Sequence, residues 1–319
     1  MAARLGASVD EAAAHLRAGR LVAIPTETVY GLAGNALDES VVLSIYRVKN
    51  RPTFDPLILH TDTAQRLAQW VEGIPPPLDL LAERFWPGPL TLLLPKRAVI
   101  SDLVTAGLPT VAVRIPAHDA ARALLARLDF PLAAPSANPF GYISPTQPQH
   151  VLAQLGDAID YVLDGGPCRV GVESTIVGLD AGGAPVIVRQ GGISIEEIAT
   201  VCPGIRLAAP SALPRAPGEL PSHYAPRTPM VLLPTGSPPP QDVADRAALI
   251  FWKPEERFVD GPRRFVLAPD GLLETGARNL YRVLREADAC GARIIYAYPA
   301  PEEGLGRAIN DRLRRASNG

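Results

Sequence analysis

Short apolar runs alternate with amphipathic stretches along the first 208 residues, and the two patterns predict different elements. Runs of a few apolar residues closed by glycine, proline or polar punctuation predict buried strands. They occur at Leu21–Ile24 (LVAI), Pro56–His60 (PLILH), Leu90–Leu94, Thr110–Pro116 (TVAVRIP), Pro131–Asn138 (PLAAPSAN), Tyr161–Leu163, Ser174–Gly178 and Val186–Arg189. Helical stretches lie between them, near Thr63–Val71, Leu78–Phe85, Asp119–Leu128 and Gln147–Leu155. Ser8 with Glu11 and Ser194 with Glu197 have capping-box spacing. Gly19 can close the first helix, and Asp38 can open one that ends near Lys49. Strands alternating with helices predict a layered α/β domain.

The pattern breaks at Ala209. APSALPRAPGELPSHYAPRTP, through Pro229, places prolines at 210, 214, 217, 221, 226 and 229. That composition predicts an extended, semi-rigid connection. His223 and Tyr224 are costly choices for a mere spacer, so the segment is expected to fold back as a lid. Beyond it VLL, AALIF, RRFVLA and ARIIYAY are strand-like, with helices near Arg278–Ala289 and Gly306–Arg315. The expected organisation is a first domain over 1–208, a linker or lid over 209–229 and a smaller α/β unit over 230–319.

Composition narrows the classes. At 319 residues and 47% hydrophobic, the chain has room for two domains with real cores. A net charge of −2 supplies no global field for nucleic acid or membrane, so any anion site must be a local cluster. Cys168, Cys202 and Cys290 are far apart and form no CxxC pair, which suits a reducing cytoplasm. No apolar run approaches the ~20 residues of a spanning helix, and the start carries no secretory apolar core.

Several familiar chemistries are missing. The sequence has no GxxxxGK[ST], no GxGxxG after a strand, no HExxH, no GxSxG and no paired Cys/His ligands. It offers polar loops at predicted strand ends instead. PTETVYGLAG (Pro25–Gly34) carries two hydroxyls, a carboxylate and a phenol in one connection. RVKNRP places Arg47, Lys49 and Arg51 at a helix end. That is either a solvated C-terminus, which favours cations anyway, or a phosphate clamp. Arg114 and Arg189 sit where strands should end, as ligand-binding residues of open α/β sheets do. The turns around Ser136–Asn138, Ser144–Thr146 and Glu173–Ser174 can cap helices or bond phosphate and ribose oxygens.

Together these stretches resemble the YrdC-like family, in particular its long two-domain threonylcarbamoyl-AMP synthases. PTETVYGL resembles the family's signature loop, KNR its KxR element and SAN (Ser136–Asn138) its SxN element. STIV, VRQG, HYAP and GLGRAINDRLRRAS extend the likeness over nearly the whole chain. One departure is Asp55, where the family is associated with asparagine; it puts a negative charge near the expected phosphates. The resemblance implies a strongly twisted open mixed sheet with flanking helices and a large basic cavity, plus a smaller α/β, Rossmann-like C-terminal domain. It implies that L-threonine, bicarbonate and ATP, the last with Mg²⁺, give threonylcarbamoyl-adenylate, pyrophosphate and water. A tRNA threonylcarbamoyl transferase complex would consume the product; contact with tRNA itself is not required. By the same resemblance Lys49 and Arg51 are the catalytic cations. Arg51, Asp55, Thr110, Ser136, Asn138, Ser144, Arg189 and Tyr224 bind nucleotide, and Thr28, His60, Arg114 and Ser174 bind threonine. No metal-ligating side chain is assigned. Lys49 and Arg51, at a polar helix end, are not expected to be buried.

Three alternatives stand beside this reading. The cavity could bind RNA, although few aromatics are interleaved with the cations. The fold could serve carbamoyl-phosphate chemistry, although the zinc-finger cysteines or transferase domain expected with that form are absent. It could also be a non-enzymatic sensor of ATP or threonine.

Overall fold

A computed structural model describes residues 3–209, 215–219, 223–238, 246–254 and 263–318. Among these, the larger sheet is built from β1 (Arg4–Gly6), β2 (Val22–Ile24), β3 (Gly31–Asn35), β4 (Ile58–His60), β5 (Leu90–Pro95), β6 (Thr110–Arg114), β7 (Leu132–Ala133), β8 (Tyr161–Leu163), β9 (Thr175–Leu179), β10 (Pro185–Arg189) and β11 (Arg206–Leu207). Their spatial order is β1-β8-β2-β3-β7-β4-β6-β5-β9-β10-β11. Parallel pairs such as β4–β6 and β5–β9 mix with antiparallel pairs such as β5–β6 and β2–β3. The fold is therefore a mixed α/β sheet. Its helices are α1 (Val9–Arg17), α2 (Glu39–Lys49), α3 (Pro76–Phe85), α4 (Asp102–Thr105), α5 (Asp119–Leu125), α6 (Pro148–Leu155) and α7 (Ile195–Val201).

Side chains alternate across a strand, so a strand apolar at every position must be covered on both faces. β2 shows this directly. Ala23 enters one core cluster with Leu32, Ile45 and Val162, while Val22 and Ile24 enter another with Ala12, Leu16 and Leu124.

Five elements differ from the expected pattern: α4 and β11 were not expected at all, and three others show why. β1 was hidden in a start that reads as helix; it is three residues long and gains its place only by pairing with β8. β3 continues straight out of the PTETVY loop, where Gly31, Gly34 and Asn35 argue locally against a strand. The helix expected at Thr63–Val71 is a 3-10 turn, Gln65–Gln69. Its i+3 repeat brings Leu67 and Trp70 to the core together.

The smaller unit is a parallel sheet of β12 (Met230–Leu232), β13 (Ala247–Phe251), β14 (Arg264–Val266) and β15 (Ile294–Ala297), ordered β12-β15-β13-β14. It carries α8 (Leu273–Ala289) and α9 (Gly306–Ala316). Its core is continuous with the first domain: Val29, Ile143 and Val172 pack in one cluster with Tyr224, Leu280, Tyr281 and Leu284. Residues 210–214 and 220–222 of the proline-rich segment lie outside the described residues. Its described parts are tied down. Ala216 is buried with Ile58, Ala112 and Ile176, and Ala225 N–H donates to the Gly141 carbonyl at 2.8 Å.

Candidate active site

The parallel register of β4 and β6 pairs His60 with Arg114, so their carboxyl ends open at the same level. Ser174 precedes β9, and Arg189 ends β10. Between these strand ends and the described linker lies a cavity enclosing about 520 Å³, its open mouth included. Its walls include Thr28, Gly31, Arg51, His60, Arg114, Ser136, Glu173, Ser174, Arg189, Pro217, Gly218, His223 and Tyr224. In α/β sheets, clefts at this end of the strands are where ligands gather.

The PTETVYG loop divides its labour. Thr26 serves the loop itself. Its Oγ1 accepts from Thr28 and Val29 N–H at 3.1 and 3.2 Å and donates to the Val29 carbonyl at 2.6 Å. Glu27 and Thr28 turn to Arg114 instead. The Arg114 guanidinium pairs with Glu27 at 2.8 Å and donates to Thr28 Oγ1 at 2.8 Å. Burial pushes the Glu27 carboxyl up, but the Arg114 charge outweighs it and holds it below its ordinary range. A cation fixed in this way is preorganised to receive a carboxylate. His60 places Nδ1 3.2 Å from the Ile58 carbonyl. Burial, with Arg114 nearby, lowers its pKa to about 3, so the ring is neutral.

Elsewhere in the lining Arg51 donates to the Asp55 and Pro56 carbonyls at 3.1 and 2.8 Å and pairs with the Asp55 carboxylate at 2.9 Å. Arg189 donates to the Ser174 carbonyl at 2.8 Å and to the Pro217 carbonyl at 2.8 Å. It thus ties the linker to the strand end. Gly218 has φ +83°, and a Cβ there would lie 2.7 Å from Tyr224 Oη, so glycine is required on both counts. Tyr224 itself holds a left-handed φ of 64°, a conformation rare for a bulky residue. Its ring lies 5.7 Å from that of Tyr281, and its pKa is pushed up to about 12 by burial, leaving a neutral phenol.

Several expected site residues stand behind the cavity instead of lining it. Lys49 and Arg51 are buried, against expectation. The Lys49 ammonium donates to the Ser136 and Asn138 carbonyls at 2.6 and 2.5 Å, beneath the SAN turn. Burial and repulsion from Arg51 lower its pKa well below the ordinary lysine value. Asn138 donates to the Pro139 and Tyr142 carbonyls and shapes the same turn. Asp55 is enclosed behind Arg51; burial raises its pKa, against the pull of Arg51 and Lys49. Ser144 donates to Glu173 at 2.7 Å. Thr110 sits at the opposite end of β6 from Arg114, roughly 13 Å away at the rise of a strand. Thr110 is not among the residues that line the cavity.

Comparisons with known proteins bear on this arrangement. A family model named Sua5/YciO/YrdC, described as telomere recombination, matches residues 14–191. A second, described as threonylcarbamoyl-AMP synthase, C-terminal domain, matches 193–318. The chain belongs to the Sua5/YciO/YrdC family. Threonylcarbamoyl-AMP synthases of that family are similar over nearly the full length. The one from Pyrococcus abyssi is 41% identical over 96% of this chain and 93% of its own. The one from Bacillus subtilis is 39% identical over 98% and 93%. The crystal structure of P. abyssi Sua5 complexed with L-threonine superposes with a TM-score of 0.88 at 39% identity, covering 97% of this chain and 94% of that one.

Beyond the site residues that the YrdC-like resemblance implied, the structure adds Glu27, Glu173, His223, Tyr281 and Arg312 to the neighbourhood of the cavity. Glu27 and Glu173 were visible inside quoted motifs, but nothing local marks a carboxylate as an arginine's partner. Tyr281 and Arg312 come from the other domain. They hold Glu173 from 108 and 139 residues away.

The buried histidine gives a prediction. His60 takes up a proton below about pH 6.5 when unfolded but only near 3 when folded. Stability is therefore fully present above pH 6.5 and declines as pH falls from there toward 3, by up to about 1.4 kcal/mol per pH unit. Between pH 6.5 and 4.5 the paired glutamates, with their lowered values, do not yet contribute. Subtracting the denaturant-derived pH profile of His60→Asn from that of the parent protein should isolate this slope. Parallel profiles would mean that His60 is protonated in the folded cavity.

Proposed function

We propose that the chain joins L-threonine, bicarbonate and ATP into threonylcarbamoyl-adenylate, as a nucleotidyltransferase. The supporting observation is one cavity lined by Thr28, His60, Arg114 and Ser174 together with Arg51, Ser136 and Arg189. Tyr224 roofs it, in a chain that aligns end to end with synthases. The threonine ammonium first gives up a proton to solvent, and its amine nitrogen then bonds to the bicarbonate carbon, with loss of water. A carbamate oxygen then attacks the α-phosphorus, and the bond to the β-phosphate oxygen breaks, releasing pyrophosphate. Both partners are anionic, so charge compensation and alignment are the main tasks, and no strong base is required.

Arg114 would hold the threonine carboxylate, and neutral His60 would add no like charge against the ammonium. Arg51 and Arg189 would take the phosphates, with Ser136 on the nucleotide. Lys49, Asp55, Asn138 and Ser144 would act one step back, shaping the turns and orienting charged neighbours. Mg²⁺ would arrive on the triphosphate and supply further charge neutralisation. Glu27, Asp55 and Glu173 are each paired with an arginine, and no group of three His, Cys, Asp or Glu side chains among the described residues could hold a metal. The product would be consumed by a transferase that modifies tRNA adenosine. A cytoplasmic location fits such a role, and no helix among the described residues is long and apolar enough to cross a membrane.

Incubation with ¹³C-bicarbonate, threonine and ATP should yield an adenylate one mass unit heavier by mass spectrometry. No labelled adenylate with all three present would reject the reaction.

The linker would serve as a lid. It crosses the cavity at Pro217–Gly218 and His223–Tyr224 and is pinned by Arg189 on one side. Excluding water protects a labile mixed anhydride. Tyr224→Ala should lower adenylate yield per ATP consumed more than it lowers ATP affinity. Equal loss of both would reduce Tyr224 to a binding contact.

A further inference from the structure

Glu173 lines the cavity, yet it is held by the other domain. Arg312 of α9 donates to Glu173 Oε2 at 3.0 Å, and Tyr281 of α8 donates to the same carboxylate at 2.7 Å. Ser144 donates to Oε1 from the first domain. The Arg312 side chain is fully buried, and its guanidinium lies 5.1 Å from the centre of the Tyr224 ring. It is shared with Asp311, at 2.8 Å, but Asp311 has a second cation in Arg315 at 3.1 Å. Arg189 is the other arginine acting on Glu173. A carboxylate in the wall of a cavity for anions repels its ligand unless it is neutralised, and burial strengthens that repulsion.

We propose that Arg312 is the charge-compensating residue of the nucleotide site. By docking it on Glu173, the C-terminal domain converts a repelling cavity wall into a neutral one, making anion affinity depend on domain contact. This rests on the reading that ATP occupies the cavity. The first domain contains the cavity and its three arginines, but it also contains Glu173. An undocked small domain would leave that carboxylate with only Ser144 and the charge of Arg189 to offset it beside the phosphates. The inference gives α9 a function beyond anchoring the linker, which it also does through the Arg315 carbonyl and His223 N–H.

The test is ATP affinity, by calorimetry on the full chain, in Arg312→Met, Glu173→Gln and the double variant. Adenosine serves as an uncharged probe of cavity shape. Charge compensation predicts that Glu173→Gln binds ATP at least as tightly as the parent protein, and that the double variant matches the parent. Arg312→Met alone should bind about tenfold or more weakly, with adenosine affinity little changed. A purely adhesive contact predicts another order, with each single variant weaker than the parent and the double variant no better than either. That order, or an equal loss for adenosine, overturns the proposal. If Arg312→Met does not fold, the comparison of parent, Glu173→Gln and double variant still decides. Arg312→Lys, which keeps the charge, should stay within a few-fold of the parent. A parent protein that does not bind ATP would instead reject the reading of the cavity.

Discussion

Arg114→Ala is expected to lower kcat/KM for threonine roughly 10²–10⁴-fold while changing ATP affinity by only a few-fold. The guanidinium is held by Glu27 on one side and Thr28 on another, at the level where the parallel strands β4 and β6 end. That fixation removes the entropy a free arginine would lose on gripping a carboxylate. Arg114→Lys should recover little, because a point charge cannot reproduce the planar fork. The substitution also leaves Glu27 buried without its cation. Arg114→Ala/Glu27→Gln therefore serves as the companion, removing the orphaned charge while keeping the loss of threonine contact. If ATP affinity falls in parallel with threonine affinity in both variants, Arg114 does not belong to the amino-acid end of the cavity.

Lys49→Ala should destabilise the protein by about 3–5 kcal/mol. The ammonium is the buried partner of the Ser136 and Asn138 carbonyls. Its loss leaves two acceptors without a donor and opens a void at the end of α2. Turnover should fall as well, through displacement of Ser136. Denaturant unfolding separates this from direct phosphate binding. An unchanged midpoint with abolished turnover would return Lys49 to the phosphates, as the motif suggests.

Lys49 also shows where legibility ends. Its position at the close of α2, with Asp38 as cap, was readable from local chemistry. Whether a cation at a helix end meets water or a neighbouring turn depends on a segment 87 residues away, which no local pattern reports. The strand ends carrying His60, Arg114 and Arg189 were legible because each follows an apolar run, and α/β sheets gather ligands there, whereas Ser174, which precedes β9, was read from the resemblance. Thr110, which begins β6 at the end away from Arg114, was read from the resemblance alone. Asp55, Asn138 and Ser144 were read from motif membership. Motifs hold both the groups that touch a ligand and those that hold them, and only geometry separates the two. The Arg312–Glu173 pair crosses domains and has no sequence signal of its own.

The central claim is that one cavity makes ATP cleavage depend on threonine and bicarbonate together. Pyrophosphate release, followed with each substrate omitted in turn, tests it most directly. The account predicts release only when threonine, bicarbonate and ATP are all present. Equal ATP turnover without threonine would contradict it.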